Sequence, residues 1–231
     1  MRRPMYAAAA VCAVACTAVT ITGPADATQI STVSGTTAAA QLKLGMTGTP
    51  ADAKTDLGAL VVKAADSMTG YDRSLFPHWR DASTNGWPVA PNDACDSRNA
   101  ALYRDGTDVT FSSTCTNAQG TWIDPYGDGV YNASSDIDID HLVPLGDAWT
   151  TGADSWSTAE RTSYANDPLV LVSSKDTLNE AKGDRDPSQW TPPNADADCL
   201  YATRWVLVKT KYALWVTSAE KSALTTMLGS C

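Results

Sequence analysis

Two histidines occur in the 231-residue sequence, and His141 stands where hydrolytic chemistry is easiest to build. It follows the alternation Asp136-Ile137-Asp138-Ile139-Asp140 and precedes Pro144 by three residues. Metal-assisted hydrolysis needs oxygen ligands for a hard cation, a base able to take a proton near neutral pH, and a scaffold holding both against a phosphate. Asp140 and His141 supply one ligand and one base. On an extended strand neighbouring side chains point to opposite faces, so the two can address one phosphate only near a bend, which Pro144 provides. A second ligand must come from another element, and Asn179 is the candidate. Ser173 or Ser174 can cap a short helix, Asp176 suits its positive end and Gly183 ends it, which places Asn179 mid-helix. Lys182, three residues on, shares a face with Asn179 and is expected to meet phosphate there. The plainer reading makes Asn179 a solvent-facing helix residue, and His141 upstream is what weighs against it.

The elements that must position these groups follow from pattern. Leu57, Leu60, Val61, Ala64, Ala65 and Met68 recur at helical spacing and predict a helix over about 51–67. Residues 71–80 form a loop dense in aromatic and basic side chains, where His78 is either a second catalytic or substrate-binding group or a ring wedged between Phe76 and Trp79. Residues 95–102 read as a short helix or strand start, and 108–111 and 122–124 as strands. Asp198 to Leu228 is helical in pattern. Its row Tyr201, Trp205, Val208, Tyr212 and Trp215 predicts a core stripe more readily than a ligand-stacking row, and Gly229 ends the last helix.

Met1-Arg2-Arg3-Pro4, the apolar stretch 7–22 and Ala25-Asp26-Ala27 predict a secretory signal peptide over residues 1–27. The apolar run falls short of the ~20 residues a membrane span needs, and Cys12 or Cys16 is poorly placed for lipidation. Residues 28–50, rich in Thr, Ser, Ala and Gly, predict a flexible linker, and 51–231 one domain. Export leaves Cys95, Cys115, Cys199 and Cys231, which implies two disulfides with three connectivities open. Cys95–Cys115 and Cys199–Cys231 close the shorter loops and are preferred; no pair has the close spacing of a zinc site. A net charge of −9 argues against broad electrostatic capture of nucleic acid, though not against a local basic groove. No heptad pattern points to an oligomer, so a monomer is expected.

Asp140-His141-Leu142-Val143-Pro144, then Asn166, then Asn179 with Lys182-Gly183-Asp184, resembles the ββα-metal motif of HNH endonucleases. The likeness is closer to secreted bacterial HNH-family proteins related to the C-terminal nuclease domain of GmrSD-type restriction enzymes, and it extends through Tyr71–Trp79 and Cys95–Arg98. The resemblance implies an α+β fold with a ββα-metal core at about 135–190, flanking helices, and metal-dependent cleavage of phosphodiester bonds, for which the acidic balance predicts little sequence specificity. It implies one divalent metal, Mg²⁺ with Mn²⁺ as the alternative, held by Asp140 and Asn179. His141 would act as general base and Asn166 as its support, leaving 5′-phosphate and 3′-hydroxyl ends on DNA, with RNA left open. Asn179 stands where the family carries His or Asn, and the insertion from Gly146 to Tyr164 is longer than in minimal motifs. Arg73, Arg80, Arg98, Lys182 and Arg185 are the candidate phosphate contacts, Arg98 and Lys182 foremost.

Two other classes compete. The Asp136, Asp138, Asp140 alternation is also compatible with a calcium loop, although His141 occupies the place such a loop needs for Gly. Eight tryptophans are compatible with a secreted carbohydrate or cell-wall binding module.

Overall fold

The computed structural model describes Leu42 and residues 45–231 apart from Val89, so the expected signal peptide and most of the expected linker lie outside the described residues. Thr49 begins α1 (Pro50–Ala59): its hydroxyl accepts from the Asp52 N–H, and the Asp52 carboxylate accepts in turn from the Thr49 N–H. The helix stops well short of residue 67. Val61 and Val62 leave it extended, Val62 bridging Val216 in parallel while the Val61 carbonyl accepts from the Val216 N–H at 3.0 Å. Two successive β-branched residues suit that pairing better than a helix interior. Docking also begins before Pro50, which corrects the linker boundary: Leu42 is fully buried and its carbonyl accepts from Arg204 at 3.2 Å.

Asp96 caps α2 (Ser97–Asp105) by accepting from the Asn99 N–H at 2.8 Å. Strands β1 (Gly106–Thr110), β2 (Gln119–Ile123) and β3 (Val130–Ala133) follow as an antiparallel sheet in that order. Next, β4 (Ile137–His141) runs into α3 (Leu145–Thr150) and α4 (Thr158–Ala165), helices formed within the long insertion. The chain returns as β5 (Leu171–Lys175), antiparallel to β4, with Ile139 opposite Ser173 and His141 opposite Leu171, and passes directly into α5 (Asp176–Lys182). The alternating aspartates therefore lie at the start of a strand and along it. Asp136 pairs with Lys175 at 3.7 Å and Asp138 accepts from Asn179, which leaves no calcium loop among them.

Helices α6 (Asp198–Lys211) and α7 (Ser218–Leu228) complete an α+β protein with two disulfides. Tyr201, Trp205 and Val208 are fully buried, so the aromatic row is a core stripe. Cys95 pairs with Cys115, tying the start of α2 to the β1–β2 connection, and Cys199 pairs with Cys231, tying α6 to the last residue. Closing loops of 20 and 32 residues stabilises the fold by about 3 kcal/mol each on the chain-entropy account, and such bonds fit an extracellular protein. No helix among the described residues is long and apolar enough to cross a membrane.

The β4–β5 pair runs between two apolar clusters. Ile137, Ile139 and Leu171 pack with Trp122 and Leu102 on one side, whereas Leu142, Val143, Val170 and Val172 join the larger cluster built on α6 and α7. A one-residue slip in register would exchange the two faces, turning Asp138 and Asp140 towards Trp122 and Leu102, so packing of the isoleucines there fixes where the two carboxylates point.

Candidate active site

Asp140 is 4% exposed, and both of its oxygens are engaged. Oδ2 accepts from the Tyr126 hydroxyl at 2.6 Å, and Oδ1 accepts from Lys182 Nζ at 2.8 Å. Lys182 is fully buried and donates a second bond to the His141 carbonyl at 3.0 Å. Burial pushes the Asp140 carboxyl above its ordinary range, and the Lys182 ammonium and Tyr126 hydroxyl pull it back. This corrects the expected role of Lys182. Helical periodicity puts it on the face of Asn179, but its long side chain passes beneath the site to pair with Asp140 instead of reaching substrate phosphate.

His141 Nε2 lies 3.0 Å from the Ala165 carbonyl oxygen. A carbonyl can only accept, so Nε2 carries the hydrogen and Nδ1 holds a lone pair. Nδ1 bonds to no described residue and is not among the polar atoms sealed from solvent. Burial pulls the imidazole down to about 3, helped by the nearby Arg73 guanidinium, which keeps the ring neutral at physiological pH.

Asn166, adjacent to the residue that orients His141, is fully buried and uses every polar atom of its side chain. Its Oδ1 accepts from the Arg80 N–H at 2.8 Å and Ser97 Oγ at 2.7 Å; its Nδ2 donates to the carbonyls of Pro77 at 2.8 Å and Thr162 at 2.7 Å. The end of α4, the 77–80 loop and α2 are thus pinned around the His141 ring.

Asn179 and Asp140 line one cleft of about 250 Å³, together with Arg73, His141, Glu180 and Asp184. Asp140 and His141, neighbours on β4, both line that cleft. Asn179 Nδ2 donates to Asp138 Oδ2 at 3.2 Å, which leaves Oδ1 as an acceptor without a partner among the described residues. Asp184 is held close by Gly146, whose N–H donates to it at 3.2 Å; a Cβ at Gly146 would lie 2.6 Å from Asp184 Cγ, so a larger residue there would push the Asp184 carboxylate aside. Gly183, at φ +52°, turns the chain out of α5 in the left-handed region. Asp140 and Asn179 both offer oxygen, and each Asp140 oxygen keeps a lone pair beyond its one hydrogen bond. That chemistry fits a hard divalent cation and not zinc held by thiolates.

Of the five expected phosphate contacts, Arg73 alone lines the cleft. Arg98 sits on α2 outside that lining, and Arg185, beyond α5, donates back to the Ala181 carbonyl. Ser173 and Ser174 do not cap α5. Strand pairing with Ile139 and Asp138 continues through them to Lys175, whose N–H is taken by the Asp124 carboxylate at 2.8 Å, so the helix begins without a side-chain cap. Tyr126 was not foreseen; it sits 14 residues before Asp140 in a turn, where no local pattern marks a hydroxyl that will reach a buried carboxylate.

Residues 96–227 match the family described as GmrSD restriction endonucleases, C-terminal domain. A protein of Arthroderma benhamiae named as an uncharacterized secreted protein is 43% identical over 177 residues, covering 76% of this chain and 82% of the relative. No solved structure matches. The match spans α2 to α7 and contains Tyr126, Asp140, His141, Asn166, Asn179 and Lys182. On this ground the chain belongs to the family of GmrSD restriction endonuclease C-terminal domains, which relates it to nucleases.

Proposed function

We propose that the cleft of Asp140, His141 and Asn179 is the active site of a secreted, metal-dependent endonuclease with an HNH-type ββα core, acting on DNA with little sequence preference. The observation that carries this reading is His141: a buried, neutral imidazole whose Nε2–H is taken by a backbone carbonyl and whose Nδ1 is left unpartnered beside two oxygen donors of one cleft. Mg²⁺, with Mn²⁺ as a substitute, would be held by Asp140 and Asn179 and would stabilise negative charge on the phosphate oxygens.

His141 Nδ1 takes a proton from water, and the oxygen so activated attacks phosphorus as the P–O3′ bond breaks. The departing O3′ is protonated from solvent, leaving 5′-phosphate and 3′-hydroxyl ends. The Ala165 carbonyl stabilises the imidazolium that forms, Arg73 meets the phosphate from the cleft wall, and Lys182 keeps Asp140 ionised and aimed. All of these groups come from one chain, so a monomer suffices. Four of the eight tryptophans, Trp87, Trp122, Trp149 and Trp205, are buried and serve the core.

Asn179→Ala tests the metal assignment. Plasmid cleavage by the variant should require at least tenfold more Mg²⁺ for half-maximal rate, with its melting temperature close to that of the parent. An unchanged Mg²⁺ requirement would remove Asn179 from the ligand set.

A further inference from the structure

His78 is the histidine that the proposed chemistry leaves unused. Its Nδ1 lies 2.8 Å from the Phe76 carbonyl, so Nδ1 carries the hydrogen and donates it. Nε2 has no partner among the described residues and is not sealed from solvent. The ring stands edge-on to His141 with centroids 6.3 Å apart, and edge-on to Trp79 at 5.0 Å. This placement is enforced from a distance in sequence. Asn166 bonds Pro77 on one side of the His78-Trp79 pair and Arg80 on the other. The clamp holds Trp79 at φ +57°, a left-handed conformation that a bulky residue rarely adopts and that persists only where surrounding contacts over-determine it. Arg73, earlier in the same loop, lines the cleft, whereas His78 lies outside that lining and adjoins it through its ring contact with His141. No described carboxylate comes within ion-pair distance of His78, so a positive charge on its ring has no internal counter-ion.

We infer that His78 is a substrate-binding residue whose Nε2, carrying a proton taken from solvent, donates to a non-bridging phosphate oxygen of the strand beside the bond attacked from His141. The inference rests on the reading of the cleft as a nucleic-acid site. The Phe76 carbonyl stays satisfied when the ring is charged, because Nδ1–H is unchanged. Packing against Trp79 fixes the ring plane, so the contact loses little conformational freedom when substrate arrives.

Binding of a fluorescein-labelled single-stranded DNA oligonucleotide, read by anisotropy in EDTA with the full chain, tests this apart from catalysis. His78→Phe keeps the edge contact with Trp79 and removes Nε2. It should raise Kd about tenfold and reduce the slope of log Kd against log salt by ~0.7, the share of one phosphate contact on a single strand. His78→Arg, which restores a cationic donor, should recover most of the affinity. A His78→Phe protein with parental melting temperature, Kd and salt slope would overturn the inference, as would a parent chain that does not bind the oligonucleotide. If the parent binds but does not cut when Mg²⁺ is added, the nuclease reading fails while the His78 comparison still decides its own question.

Discussion

Replacing Lys182 by methionine is expected to destabilise the protein by about 3–5 kcal/mol and to remove activity, although Lys182 touches no substrate. The ammonium is fully buried and bonds Asp140 Oδ1 and the His141 carbonyl. Methionine fills a similar volume but leaves a carboxylate beneath the cleft with the Tyr126 hydroxyl as its remaining partner. Losing one member of a buried ion pair costs more than the pair itself contributes, because the other charge is stranded away from water. Burial already pushes the Asp140 carboxyl upward, and without the Lys182 ammonium to pull it back the protonated form gains further, which weakens it as a cation ligand. In a domain of this size the stability loss corresponds to a fall of roughly 10 °C in melting temperature. Adding Asp140→Asn to Lys182→Met should recover much of the stability and none of the activity. A single variant that melts with the parent would show that the pair is not the buried, mutually dependent unit described above.

His141→Ala carries the largest expected effect on rate. Removing a positioned general base lowers turnover by about 10²–10⁴, so cleavage should become undetectable against the parent under matched conditions. The fold should survive, since the change frees one carbonyl, Ala165, at a cost of about 1–3 kcal/mol. The pH dependence of the parent is the companion measurement. With the folded imidazole near 3, the base is already unprotonated from pH 5 to 8, and the rate should show no limb near the ordinary histidine value of 6.5. Stability follows the same sign. The folded state binds fewer protons than the unfolded chain between about 3 and 6.5, so His141 contributes its full stability above 6.5 and loses it as the pH falls through that window. His141→Ala should flatten that acid decline. An alanine variant that nicks plasmid at the parental rate would end the assignment.

Much of the site was legible because its logic is local. Asp140-His141 before a proline, an apolar strand returning at Leu171, and a short helix bounded by Asp176 and Gly183 can each be read from residue types within a few positions. The core stripe of α6 was legible for the same reason, its 3.6-residue period being carried by large aromatics. What escaped depends on contacts between distant segments. Periodicity placed Lys182 on the correct face of α5, but whether a long side chain on that face ends in solvent or beneath its neighbour is decided by Asp140, 42 residues away. The same holds for Tyr126, and for Asn166, whose partners Pro77, Arg80 and Ser97 lie 69 to 89 residues off. The serines before α5 were read as caps because local chemistry allows it; sheet pairing claimed them first. The overlong first helix failed similarly, since Val61 fits an apolar helical spacing until Val216 offers it and Val62 a strand partner.

Incubating the purified chain with supercoiled plasmid and Mg²⁺ or Mn²⁺, with and without EDTA, tests the central claim most directly. The arrangement of Asp140, His141 and Asn179 predicts metal-dependent conversion to nicked and linear forms, abolished by EDTA, with 5′-phosphate ends. Intact plasmid with both metals across the range in which the protein stays folded, or cutting that continues undiminished in EDTA, would contradict it.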